Sequence, residues 1–247
     1  MLSAFSFGKI IKTFLPGSLL CAGLLLVAEA LCQALGRQSI VPIIANKDVI
    51  VATTAALLPL SLILGFVLNT VVWFAINGWM RALVHFQLGR SVTHVTLRSA
   101  LVDRLHAGLK RVAPTLTAVD PEFESLEYFY LPLVTLEHHN QLWESYFSWY
   151  EFQTNTALAT LLLAAAMLFY LRVKPMQARH ETLACELVVG VSVAAAVMLL
   201  EAARKNLVQY ERKLPVLIAG ALEFQRPTPT LSTPATDCAA AVLPLLP

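Results

Sequence analysis

The chain is 247 residues long, 57% hydrophobic and 14% charged, with a mean hydropathy of +0.66. Soluble domains carry about 25% charged residues, so this composition excludes an ordinary water-soluble fold and indicates a membrane protein. A net charge of +2 is too small to hold a nucleic-acid partner by bulk electrostatics.

Four apolar runs are long enough to cross a bilayer, which takes roughly 20 residues, and backbone satisfaction in lipid requires them to be helices. The first is predicted over Ser18–Leu35, after Leu15-Pro16-Gly17, with one intramembrane charge, Glu29. Ala28-Glu29-Ala30 resembles a signal-peptide cleavage site. The apolar run continues beyond it, however, so a retained helix is expected. The second run, Val49–Ile76, spans about 42 Å at helical rise, so it should tilt, bend at Pro59 or protrude. The third and fourth are Thr156–Val173 and Leu183–Ala203.

The chain therefore divides into a first transmembrane hairpin (1–77), an inner helical segment (78–152), a second hairpin (153–203), a charged amphipathic helix (204–225) and a Pro/Thr/Ala-rich tail (226–247) expected to be disordered. With four spans, the N-terminus, the 78–152 segment and the C-terminus share one side. That side holds 13 of the 18 Lys and Arg residues, so the positive-inside rule makes it cytoplasmic. The predicted fold is all-α, with four transmembrane helices in two antiparallel hairpins and a helical cytoplasmic segment. Its predicted location is a bacterial inner (plasma) membrane.

The cytoplasmic segment is basic and helix-compatible from Trp79 to Val112, and Pro114–Val119 reads as a loop. Asp120-Pro121-Glu122 carries an N-cap acid and a first-turn proline, which predicts the start of a short acidic, aromatic helix. The stretch Glu137–Asn155 then leads straight into the third span. At 100° per residue it places Glu137, Glu144 and Glu151 on one side, and Trp143, Tyr146, Trp149 and Tyr150 on the other. The aromatics suit an interfacial anchor, a packed vestibule or a docking surface. In a symmetric oligomer the acids would stack as carboxylate rings that attract cations.

Glu29 is a candidate ion or proton site, or else an acid reaching outward to Arg37, Arg172 or water. Asn69, in the second span, is a candidate interhelical hydrogen-bonding group. Thr156, Thr160 and Ala164, with Gly190 and Ala194, predict close contact between spans three and four. His138 and His139 diverge by 100° on a helix, so no metal site is expected. The cysteines form no CxxC pair, and neither GxGxxG, a P-loop nor HExxH occurs. No cofactor and no enzymatic activity are expected.

Two functions follow from these residues. The first is a membrane-anchored interaction module, embedded in the lipid bilayer as a homo-oligomer and docking a cytoplasmic protein. The second is a small oligomeric cation channel or transporter using Glu29, Asn69 and the acidic stripe.

Overall fold

A computed structural model describes residues 7–40, 47–112, 134, 136–173 and 179–224. Among these the regular structure is entirely helical. Helices α1 (Phe7–Ala34) and α2 (Lys47–Ala75) are followed by α3 (Asn77–Leu88), α4 (Val92–Val112) and α5 (Leu136–Leu142). A π-helical turn, Trp143–Phe147, joins α5 to α6 (Ser148–Val173), and α7 (Arg179–Phe224) closes the chain. Four segments are long and apolar enough to cross a membrane: Ile11–Ala34, Ala55–Ala75, Glu137–Val173 and Leu183–Ala221. The protein is an all-helical, membrane-embedded chain.

α1 runs through Pro16-Gly17 and so begins before the start expected at Ser18, and α7 runs on from the fourth span through Pro215 as one helix of 46 residues. A proline removes one intrahelical donor, which can end a helix. Here both prolines are buried, and tertiary packing carries the helix past them. Pro59 lies inside α2, consistent with a second helix longer than a bilayer is thick. The expected loop Pro114–Val119, the short helix after Asp120 and the 226–247 tail lie outside the described residues.

α1 is the hub, packing extensively against both α2 and α6. At its crossing with α2 there is no room for side chains. A Cβ at Gly17 would overlap the Ser61 carbonyl, and one at Gly65 would overlap the Thr13 carbonyl. Such contact between backbones is the role of small residues in membrane helices. Gly23 likewise lies against Leu163 and Ala166 of α6.

α6 and α7 also pack extensively, but not through the expected pair of small residues. Gly190 and Ala194 are exposed, and a Cβ at Gly190 would touch nothing within 4 Å. α7 instead buries Val189, Ala196 and Ala203, seven residues apart, so one seam faces the bundle and Gly190 lies beside it.

The main hydrophobic core lies at one end of the bundle. Met80, Val84 and Leu88, at i, i+4 and i+8 of α3, bury a single stripe. They join Leu101 of α4, Phe147 of the π turn, Tyr150 of α6, and Leu207, Tyr210, Leu214 and Ile218 of α7. The rings centre on Phe147, whose centroid lies 4.0 Å from Trp143, 5.1 Å from Tyr210 and 5.5 Å from Tyr150. This is the aromatic end. The spans beyond it expose apolar side chains such as Ile63, Phe66, Leu187 and Met198, as lipid-facing helices do.

Candidate functional site

The π turn determines which side chains reach the site. Its defining bond runs from the Ser148 N–H to the Trp143 carbonyl, five residues back. One extra residue per turn changes the helical phase, and such insertions recur at functional sites. It turns Glu151 away from the line of the earlier acids. Glu137 and Glu144 are exposed, whereas Glu151 is half-buried and lines a groove with Lys12 of α1. The three carboxylates therefore do not form one continuous exposed stripe. The aromatic row divides similarly. Tyr150 is buried, Trp143 and Tyr146 are half-buried, and Trp149 is exposed beneath the Lys12 ammonium, 4.5 Å from its ring centroid. Phe147, the most central ring, lies four residues after Trp143 and three before Tyr150 and is fully buried.

The groove, about 480 Å³, opens between α1, α2 and the start of α6. Lys12 and Thr13 line it from α1, and Leu62, Phe66 and Asn69 from α2. Trp143 belongs to the π turn, and Ser148, Glu151, Phe152 and Asn155 to α6. Lys12 Nζ donates to Ser148 Oγ at 2.8 Å, tying α1 to α6. Deeper in, Asn155 Nδ2 donates to Asn69 Oδ1 at 2.7 Å, so Asn69 does bond across helices. Asn155 is 5% exposed, and its own Oδ1 is buried without a hydrogen-bond partner. Buried amide oxygens are nearly always paired, so this one marks a place where a donor fits.

Just outside the groove, the Tyr150 hydroxyl donates to Asn77 Oδ1 at 3.0 Å with both residues buried. That bond fixes the junction of α2 and α3 against α6.

Glu29 sits at the far end of α1, 17 residues from Lys12 or about 25 Å along the helix. It is 4% exposed. Its carboxylate accepts from Gln33 Nε2, from Ser39 Oγ at 2.6 Å and from the Ile40 N–H at 2.7 Å. The expected outward reach to Arg37 or Arg172 is replaced by bonds that fold the chain after α1 back onto it. The donors come from the helix's own next turn and the chain beyond it. Glu29 and Asn69 therefore belong to separate sites.

A second groove, about 550 Å³, lies at the aromatic end between α5, the π turn and the last part of α7. Leu142, Val216 and Leu217 give it an apolar floor, and His138, Arg212 and Lys213 a basic rim. Lys213 donates to the Tyr146 hydroxyl and lies 4.4 Å from that ring's centroid. Among the described residues, no group of three or more His, Cys, Asp or Glu could hold a metal ion.

No protein-family model, curated protein or solved structure matches this chain.

Lys12, Ser148 and Asn155 were absent from the sequence-level candidates. Asn155 carried the best signal available, as the last amide before an unbroken apolar run. Lys12 looked like a topogenic charge in front of a span, because the helix was expected to start six residues later.

Proposed function

We propose that the protein is a membrane-anchored interaction module that docks an acidic amphipathic helix of a cytoplasmic protein. In this proposal the four spans form two antiparallel hairpins in a bacterial inner membrane, with both termini and α3–α5 on the cytoplasmic side. The asymmetry of Lys and Arg along the chain supports that orientation. Assembly into a homo-oligomer is part of the proposal.

The observation that carries it is the groove between α5 and α7. An apolar floor beside a basic rim matches a helix whose apolar face enters the groove while its acids meet Arg212 and Lys213. Both cations are exposed, and Val216 keeps 58% of its surface accessible. The exposed acids Glu137 and Glu144 stand on the α5 side and would select against a partner whose charges are reversed. The packed aromatic core beneath holds α5 and α7 in fixed relation, so the groove needs no ordering before it binds. The cation-channel alternative relied on an acidic stripe that Glu151 leaves at the π turn, and it draws no support from this geometry.

A photo-crosslinking residue at Ser145 in the full-length chain, expressed in its native cell, tests the proposal. A heteromeric adduct is expected, and Arg212→Glu with Lys213→Glu should abolish it while the protein still folds and inserts. Adducts only between copies of this chain, or an adduct indifferent to charge reversal, would rule the docking function out.

A further inference from the structure

The groove between α1, α2 and α6 has a separate chemistry. Its polar groups run from Lys12 and Ser148 to the deeper Asn155 and Asn69 in an otherwise apolar cleft, and they include both charges. Lys12 supplies the cation, and Glu151 supplies a carboxylate within its field. Asn155, one helical turn beyond Glu151, supplies the unpaired Oδ1 on the same face of α6. Exchanging O and N of the two asparagine amides would leave an unmatched N–H in place of the unmatched oxygen, so the Asn69–Asn155 pair cannot satisfy itself. Two acceptors beside one cation suit a zwitterion, a ligand with an N–H-bearing cation and an anion a few ångströms apart.

The remaining walls indicate what is attached to that zwitterion. Leu62, Phe66, Phe152 and Trp143 are apolar. Phe66 is 59% exposed at the rim, and it continues into Ile63 and Val67 on the exposed face of α2. The cleft thus opens sideways onto the lipid-facing surface. The polar level lies just before Thr156, where the apolar run of α6 begins and a headgroup would meet an acyl chain.

We propose that this groove binds a phospholipid whose headgroup carries a phosphate and a primary ammonium. The phosphate meets Lys12, the ammonium donates to Glu151 and Asn155 Oδ1, and an acyl chain lies along Leu62 and Phe66. A choline headgroup has no N–H to donate, and a glycerol headgroup has no cation for Glu151. The site requires membrane embedding but is independent of the partner-docking proposal.

The test uses the full-length protein, stripped of lipid in detergent and offered phosphatidylethanolamine, phosphatidylcholine and phosphatidylglycerol with identical chains. Native mass spectrometry counts what stays bound. The ethanolamine lipid should be retained about tenfold over the choline lipid, as one charge-assisted hydrogen bond would give. Glu151→Gln and Asn155→Leu should each bring that ratio close to unity, and Lys12→Gln should weaken retention of all three lipids. If Asn155→Leu fails to fold, judged by its thermal midpoint, Glu151→Gln decides alone. Equal retention of the three lipids by the wild type overturns the proposal, as does a preference that survives Glu151→Gln. Free phosphoethanolamine is the last arm. Displacement of the lipid by the soluble headgroup at matched concentration would make the site one for a small zwitterion, and the lipid assignment would fall.

Discussion

The two ends of α1 solve the same problem in different ways. At the Glu29 end a buried charge is satisfied within the chain, by donors from Gln33, Ser39 and Ile40. At the Lys12 end the polar groups are divided among three helices, and one buried acceptor, Asn155 Oδ1, is left over. An intramembrane carboxylate is the more conspicuous feature in a sequence, yet here it is a clip that holds a turn. The amide that appears ordinary has the unmatched atom. The cost of burying a polar group indicates function only when the protein has not already met it.

Beyond Lys12, the aromatic end adds a real core. Phe147 is fully buried at the centre of four other rings, those of Trp73, Trp143, Tyr150 and Tyr210. Phe147→Ala should cost about 3–5 kcal/mol by leaving a cavity where α3, α6 and α7 converge. Unfolding in detergent, followed by circular dichroism, should show that loss, and α5–α7 crosslinks should weaken with it. A cost below about 1 kcal/mol, within the range of a tolerated core swap, would mean that the aromatic cluster is not what fixes the basic groove.

Glu29→Ala should be the next largest effect. It removes the charged acceptor of three donors, and bonds to charged groups are worth about 1.5–3 kcal/mol each, so a net loss of about 3 kcal/mol is expected after water reaches the turn. The loss should appear as faster hydrogen exchange in residues 35–40, with exchange around Ser148 unchanged. If instead transport or proton-coupled behaviour changed while stability held, the satisfied end of α1 would be the functional one.

Much of this architecture was legible in the sequence, because hydropathy and length report on lipid directly. The four spans, the overlong second helix with Pro59 inside it and the basic helices after Trp79 all follow from that signal. Four features did not. Pro16 reads locally as lying before the first helix, but burial outweighs one lost backbone bond. The π turn cannot be read from a 100° projection, and it moves Glu151 off the acidic line. The partners of Glu29 lie 10 and 11 residues ahead in an irregular segment, where no periodicity predicts a contact. Likewise the glycines that matter, 17 and 65, are set by a crossing between α1 and α2, not by spacing within either helix.

The smallest expected effect concerns how α4 is held at the aromatic end. His94 lines a small groove with His85, Leu88 and Arg98, and burial first, then Arg98, His85 and Arg212, lower its pKa below the ordinary 6.5. A base whose folded pKa is depressed binds protons more readily when its surroundings open. The docked arrangement therefore keeps its full stability above about pH 6.5 and loses it as pH falls toward the lower folded value. His94 is only partly shielded, so the effect should be a local loosening of α4, not unfolding of the protein. Hydrogen exchange in 92–104 should quicken between pH 7.5 and 5.5, after correction for intrinsic rates, while exchange in α6 stays level. His94→Gln should flatten that difference. A pH response that persists in His94→Gln would assign the loosening to His85, which lies 3.8 Å from the buried Glu211, and α4 would then report on the α3–α7 contact instead of its own.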